Sequence, residues 1–259
     1  MIRWKKKYTD KTVFFLHIPK CAGTTLNFEI IKKHFKSDEY ILFYDQGTPE
    51  LIKRLKEMPA IEQRKIRCIA GHFYFGVHNH YTARPSTYIT ILRDPIERVI
   101  SHYYQVRRWE THYLYRVVTE NNLTLKEYVA NKLSCELDNG QTRILAGLEW
   151  HVPFGECTRE ILEKAKENLQ NHFSVVGLTE KFEEFLQLLS HKLEWKTQLK
   201  KKQNVGENRV NKDEIDSETI AVIERYNQLD IELYRYAQTL FEKQYSEIPP
   251  CTPPPEERN

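Results

Sequence analysis

Two stretches of this chain hold residue types that can bind an anionic group and act on it. The first runs from Phe14 to Leu26 (FFLHIPKCAGTTL). An apolar strand ending at His17 or Ile18 passes through small residues into a helix starting near Thr24. Free N–H groups at a helix start favour an anion. Around them, Lys20 adds a point charge, Thr24 and Thr25 add hydroxyl donors, and Ala22 and Gly23 keep side chains out of the way. This is the physics of a phosphate loop without the G-x-x-x-x-G-K-[ST] sequence. An ordinary strand–turn–helix with a surface lysine is the alternative reading. The second stretch, Ile91 to Tyr104 (ILRDPIERVISHYY), ends a strand at Arg93. Its guanidinium fork suits an anion, and Ser101 follows two turns into the next helix. Arg93 and Ser101 also read as a structural set with Asp94 or Glu97, and Arg98 reads more readily as a structural partner of Glu97 or Glu110 than as a residue bordering the bound ligand.

Proton transfer near neutral pH calls for histidine, and the chain has 10. His72 follows a strand ending at Gly71, at the carboxyl edge where α/β sites gather. His17 lies inside the loop and is better suited to shaping it. His78 and His80 fall in a loop, Gly76 to Ala83, that can line a cleft or sit on the surface.

The elements that must position these residues are strands at Thr12–Ile18, Lys65–Gly71, Thr87–Leu92 and Phe173–Leu178, with a weaker one at Tyr40–Tyr44. Helical patterns cover Thr24–Phe35, Pro49–Lys56, Pro95–Trp109, Leu125–Lys132, Arg159–Asn171 and Lys181–Lys192. Near-continuous apolar strands between helices predict an α/β fold: a P-loop-like single domain with a central parallel sheet of about five strands flanked by helices. Val222, Tyr226, Leu229, Leu233, Tyr236 or Ala237, and Leu240 read as one helix face docked on the body. The domain is expected to span 1–247, with a proline-rich, disordered tail at 248–259.

The 259 residues carry a net charge of +3, from 39 basic and 36 acidic side chains, too even to argue for nucleic acid. No apolar run approaches the roughly 20 residues of a membrane span, and the basic start before Val13–Leu16 is expected to be neither signal peptide nor anchor. Five cysteines without paired spacing make neither a disulfide framework nor a zinc site. A cytoplasmic home is expected.

HIPKCAGTTL resembles the 5′-phosphosulfate loop of the carbohydrate sulfotransferases, in particular the family containing the heparan sulfate 2-O-sulfotransferases. Arg93 to Tyr104 is similar to that family's R-D-P-x-x-R-x-x-S-x-Y-Y 3′-phosphate site. Weaker similarities lie at Ala70–Phe73, Asp138–Gly147, Val175–Phe182 and Asn227–Phe241, in the right order. The resemblance implies an O-sulfotransferase using 3′-phosphoadenosine 5′-phosphosulfate, with no metal required; a soluble, bacterial-type enzyme is expected, an excised catalytic domain being the alternative. It implies Lys20 at the leaving phosphate, Cys21, Ala22, Gly23, Thr24 and Thr25 around the 5′-phosphate, and Arg93 and Ser101 at the 3′-phosphate. His72 matches the histidine to which base function is assigned. The second histidine of the 2-O enzymes, two positions earlier, is Ala70 here, which leaves their polymer-specific contacts in doubt. The acceptor implied is a hydroxyl on a sugar or glycan.

Asn139, Thr142 and Arg143 match a family D-N-x-x-T-R pattern and can touch acceptor or hold the fold. The basic segment Lys200–Lys212 is where such enzymes close over the nucleotide, making Asn208 and Arg209 candidates for a lid. Tyr103–Tyr115, aromatic with Arg107 and Arg108, suits either sugar stacking or packing. A kinase or phosphotransferase on a similar fold, and a non-catalytic nucleotide-binding protein, are the competing readings.

Overall fold

The structure, a computed structural model, describes residues 10–44, 47–81, 83–148, 152–197, 210 and 212–249. Strand β1 (Thr12–Leu16) is five residues buried on both faces, as the run TVFFL requires. It feeds α1, a helix over residues 23–34 in three consecutive stretches, Gly23–Thr25, Leu26–Ile31 and Lys32–His34. The middle stretch has π-type hydrogen bonding. There follow β2 (Tyr40–Phe43), α2 (Gly47–Glu57), β3 (Cys68–Gly71), β4 (Ser86–Leu92) and α3 (Pro95–Val106). Short helices α4 (Tyr115–Glu120), α5 (Leu125–Ala130) and α6 (Gly140–Ala146) precede α7 (Arg159–His172), β5 (Phe173–Leu178) and α8 (Phe182–Leu193). The described fold closes with α9 (Ser217–Tyr226) and α10 (Gln228–Ser246).

All pairings are parallel, in the order β2-β3-β1-β4-β5. This is the α/β architecture expected from the strand pattern, with β1 at its centre. From β1 the chain moves to β2 and β3 on one side and only then crosses to β4 on the other. The order therefore reverses between β1 and β4, and a crevice opens outside the carboxyl ends of those strands. The loop after β1 and the residue after β4 meet there, with Leu16 paired to Gly71 on one side and Thr90 on the other.

Two apolar clusters form. The larger packs both faces of the sheet, with Phe14 stacked on Tyr88 at 5.1 Å. The smaller joins α3, α4, α5 and α9 through Val99, Ile100, Val106, Val118, Val129 and Ile223. Asp94 caps α3, its Oδ1 accepting from the amides of Ile96 and Glu97 at 3.0 Å, with Pro95 at the first position.

The final segment differs from the expected single helix face. Asn227, fully buried, breaks it: its amide donates to the carbonyls of Leu137 and Ile223, both at 2.9 Å. Val222 consequently joins the smaller cluster, while Leu233, Ala237 and Phe241 join the larger. The second helix starts against α6 in a reciprocal clasp. Asn139 Oδ1 accepts from the amides of Leu229 (2.9 Å) and Asp230 (3.1 Å). In return, the buried Asp230 carboxylate accepts from the amides of Gln141 (3.0 Å) and Thr142 (2.7 Å) and from the Thr142 hydroxyl (2.7 Å). Ile248, where the tail was expected to begin, packs against the larger cluster. The helices α4 and Ala60–Gln63 were not anticipated.

Removing the Asp230 carboxylate orphans three donors and takes from the buried Arg98 the carboxylate that stands 4.0 Å away. Asp230→Ala should therefore lower unfolding stability by about 3–5 kcal/mol in urea denaturation. A loss under about 1 kcal/mol would mean the clasp is not what holds α6 to α10.

Candidate active site

The loop after β1 is built on strained backbone. Lys20 (φ 71°) and Ala22 (φ 57°) both lie in the left-handed region, at a cost of order 1–2 kcal/mol each. Left-handed Ala22 followed by right-handed Gly23–Thr25 is a step whose N–H groups line an anion-sized concavity. Ala22 occupies the cap position of α1 without a side-chain cap bond, so no side chain at that position takes up the first-turn amides. Thr24 is exposed and Thr25 half-buried beside them.

Two loop residues also serve the packing of the loop itself. The amide of Cys21 donates to Ile18 O at 3.3 Å, so it closes the turn. The Cys21 thiol is buried, 3.7 Å from Gln141 Oε1, and burial pushes it up to about 12. Gly23 makes room for protein: a Cβ there would fall inside the imidazole of His17.

Arg93 sits where β4 ends. Its Nη1 donates to Lys20 O at 3.1 Å and its Nη2 to Glu97 Oε2 at 3.3 Å. The guanidinium thus reaches the first loop while Glu97 orients it, which is the structural pairing with Glu97 that the sequence offered. Ser101 is half-buried further along α3. Arg98 is structural: 1% exposed, it donates to Glu136 O at 2.5 Å.

His72 follows Gly71, where a Cβ would collide with the Phe43 carbonyl, so only glycine lets β3 end this close to β2. The His72 amide then donates to that carbonyl at 2.8 Å. The His72 ring lies 4.6 Å from that of His17 and 4.9 Å from that of Tyr44, centre to centre. His17 is held neutral: burial first, then His72 and Lys20, push its pKa well down. The loop, Lys20, His17, His72 and Arg93 are therefore one constellation at the carboxyl edge of the sheet.

Other candidates lie elsewhere. His78 packs on Tyr88, Nδ1 to hydroxyl 3.0 Å, and on His172, just before β5. It belongs to the amino-terminal side of the sheet, because the chain after β3 crosses back there to enter β4; His80 ends the same short helical turn. Asn139, Thr142 and Arg143 are buried and hold the fold. Arg143 pairs with Asp138 and donates to Pro153 O at 2.9 Å. Asn208 and Arg209 lie outside the described residues. Lys212, at the end of that basic segment, stands 3.5 Å from Asp94 Oδ2. Of the aromatic stretch, Tyr103 packs inside, whereas Trp109 and Tyr113 are exposed. Between them His112 stacks on Tyr113 at 4.7 Å, its pKa lowered by partial burial and, in part, by His102 and Lys20.

Sequence reasoning missed Gln141. It is fully buried, and its side-chain amide accepts from Arg93 N (3.0 Å) and donates to Arg93 O (2.9 Å). Its only signal was an amide at a helix position otherwise suited to an apolar residue. Among the described residues, no group of three or more His, Cys, Asp or Glu is placed to hold a metal ion.

A buried neutral His17 binds fewer protons folded than unfolded, so its contribution to stability is present above about pH 6.5 and lost as pH falls below it. Thermal melts should show stability declining from pH 7 to pH 5, with a shallower slope in His17→Gln. An unchanged slope would place a charged His17 in the folded state.

The profile of the Sulfotransferase family matches residues 8–237. Human heparan-sulfate 6-O-sulfotransferase 1 is 30% identical over 189 residues, 63% of this chain and 45% of that protein. Human heparan sulfate 2-O-sulfotransferase 1 is 25% identical over 199 residues, 70% of this chain and 54% of that protein. The chain thus spans about half the length of the curated relatives it matches. A crystal structure of a sulfotransferase from Alicyclobacillus acidocaldarius aligns with a TM-score of 0.47 and 14% identity, covering 92% of this chain and 99% of that one. Since the family profile runs from before β1 into α10, across the Lys20 loop, His72 and Arg93, the chain belongs to the sulfotransferase family.

Proposed function

We propose that the chain transfers a sulfuryl group from 3′-phosphoadenosine 5′-phosphosulfate to a hydroxyl of a carbohydrate. The observation that carries this reading is the contact between Arg93 and the Lys20 carbonyl. It sets a guanidinium beside a helix start without a side-chain cap, which supports a reading of paired anion sites on adjacent central strands, as a donor phosphorylated at both 3′ and 5′ positions needs. Sulfuryl transfer, like phosphoryl transfer, asks the protein mainly for positioning and electrostatic stabilisation. In this reading the amides of Ala22–Thr25 and the hydroxyls of Thr24 and Thr25 hold the 5′-phosphate. Lys20 meets charge growing on the leaving oxygen. Arg93 and Ser101 hold the 3′-phosphate, and His72 takes the proton of the attacking hydroxyl. The charge on the donor is met by side chains and amides, so no metal is assigned a part.

Both curated relatives are named for sulfation of heparan sulfate. We carry over only the class, a glycan hydroxyl. The exposed Trp109 and Tyr113 around His112 offer aromatic faces for a sugar. Cys21, Cys68, Cys135 and Cys157 are free thiols, which supports a reducing, cytoplasmic setting. No helix among the described residues is long and apolar enough to cross a membrane.

The test is calorimetric titration with adenosine 3′,5′-bisphosphate beside ATP with magnesium. Binding of the bisphosphate without metal, weakened by Arg93→Ala, is expected; preference for ATP with magnesium would point to a kinase instead. Lys20→Ala should lower kcat by about 10²–10³-fold with a smaller change in bisphosphate affinity. His72→Ala should lower kcat by about 10²–10⁴-fold with bisphosphate binding near normal. A His72→Ala enzyme of comparable turnover would move the base elsewhere, to His17 or His112 first.

A further inference from the structure

We propose that Gln141 is the positioning residue that holds the two anion-binding elements in register; the inference rests on the reading just given. Arg93 is the first residue past the end of β4, where a parallel neighbour no longer supplies hydrogen-bond partners. Its backbone groups are nevertheless both engaged, by one side chain. Gln141 Oε1 accepts from Arg93 N at 3.0 Å and Gln141 Nε2 donates to Arg93 O at 2.9 Å, imitating a neighbouring strand. A primary amide is the neutral group that can do both, since it carries an acceptor and a donor side by side.

The same Oε1 lies 3.7 Å from the Cys21 thiol, so one amide touches both the residue after β4 and the loop after β1. Gln141 is itself held by the buried Asp230 carboxylate, through its backbone amide at 3.0 Å. The chain of contacts runs from α10 through Asp230 and Gln141 to the Arg93 backbone, and from the Arg93 guanidinium to the Lys20 carbonyl. Every member but Arg93 and Lys20 is fully buried, which makes the network stiff and its bonds strong. Its product is a fixed spacing between the Arg93 fork and the Lys20–Thr25 loop. That spacing discriminates a nucleotide with both phosphates from one carrying only the 5′-phosphate.

The test compares adenosine 3′,5′-bisphosphate with adenosine 5′-monophosphate by titration calorimetry. In the unmutated protein the bisphosphate should bind more tightly. Gln141→Met, of similar length but without either polar atom, should reduce that selectivity about tenfold or more while the monophosphate affinity changes less. Gln141→Glu, which sets a carboxylate against the Arg93 carbonyl, should do the same. Combined with Arg93→Lys, Gln141→Met should cost far less selectivity than it does alone, because both changes act on one contact. If the variants fold and lose affinity for both nucleotides by the same factor, Gln141 is merely structural and the proposal fails. If the unmutated protein does not prefer the bisphosphate, the functional reading fails instead. A readout independent of any variant is hydrogen exchange: the Arg93 amide should be protected to the level of Leu92, and fast exchange would contradict the clamp.

Discussion

The hydrogen bond from the Arg93 guanidinium to the Lys20 carbonyl joins the ends of two neighbouring parallel strands, and the site depends on it. Lys20 is held in left-handed backbone that its side chain disfavours. Such a conformation persists only when its surroundings over-determine it. Here the surroundings are the Arg93 fork on the Lys20 carbonyl, the Ile18–Cys21 turn bond, and the His17 imidazole filling the space that a side chain at residue 23 would take. The left-handed loop geometry is thus maintained by contacts within the protein itself.

Sheet topology supplies the other half of the constraint. With β1 central and the strand order reversing beside it, the ends of β1, β3 and β4 converge. A cation, a fork and an imidazole from positions 20, 93 and 72 then share one crevice although far apart in the chain. The smaller apolar cluster matters for the same reason. It anchors α3, so that Ser101 and Glu97 stand at fixed offsets from Arg93.

What was legible in the sequence was whatever local chemistry dictates. The apolar run of β1, the small residues before α1, the Asp94–Pro95 helix start and the glycine before His72 each declare their structure within a few residues. What was not legible depends on partners distant in sequence. The break at Asn227 follows from bonds to Leu137 and Ile223, and periodicity carries no trace of it. Gln141 resembles any polar helix residue until Arg93 is set against it. His78 shares a loop region with His72, yet the crossover into β4 takes it to the opposite edge of the sheet. The family pattern around Asn139–Arg143 was visible, but the buried Asp230 and Asp138 decide that it holds the fold.

The central claim is that this crevice moves a sulfuryl group rather than a phosphoryl group. The most direct measurement is incubation with donor labelled in its sulfate, with desulfated glycosaminoglycan chains as acceptor. Label on the glycan and release of adenosine 3′,5′-bisphosphate are followed together, with and without a metal chelator. The account predicts label transfer matched mole for mole by bisphosphate release, unaffected by chelation. Release of bisphosphate with the label left as free sulfate across a broad panel of hydroxyl acceptors, or label transfer abolished by chelation, would contradict it.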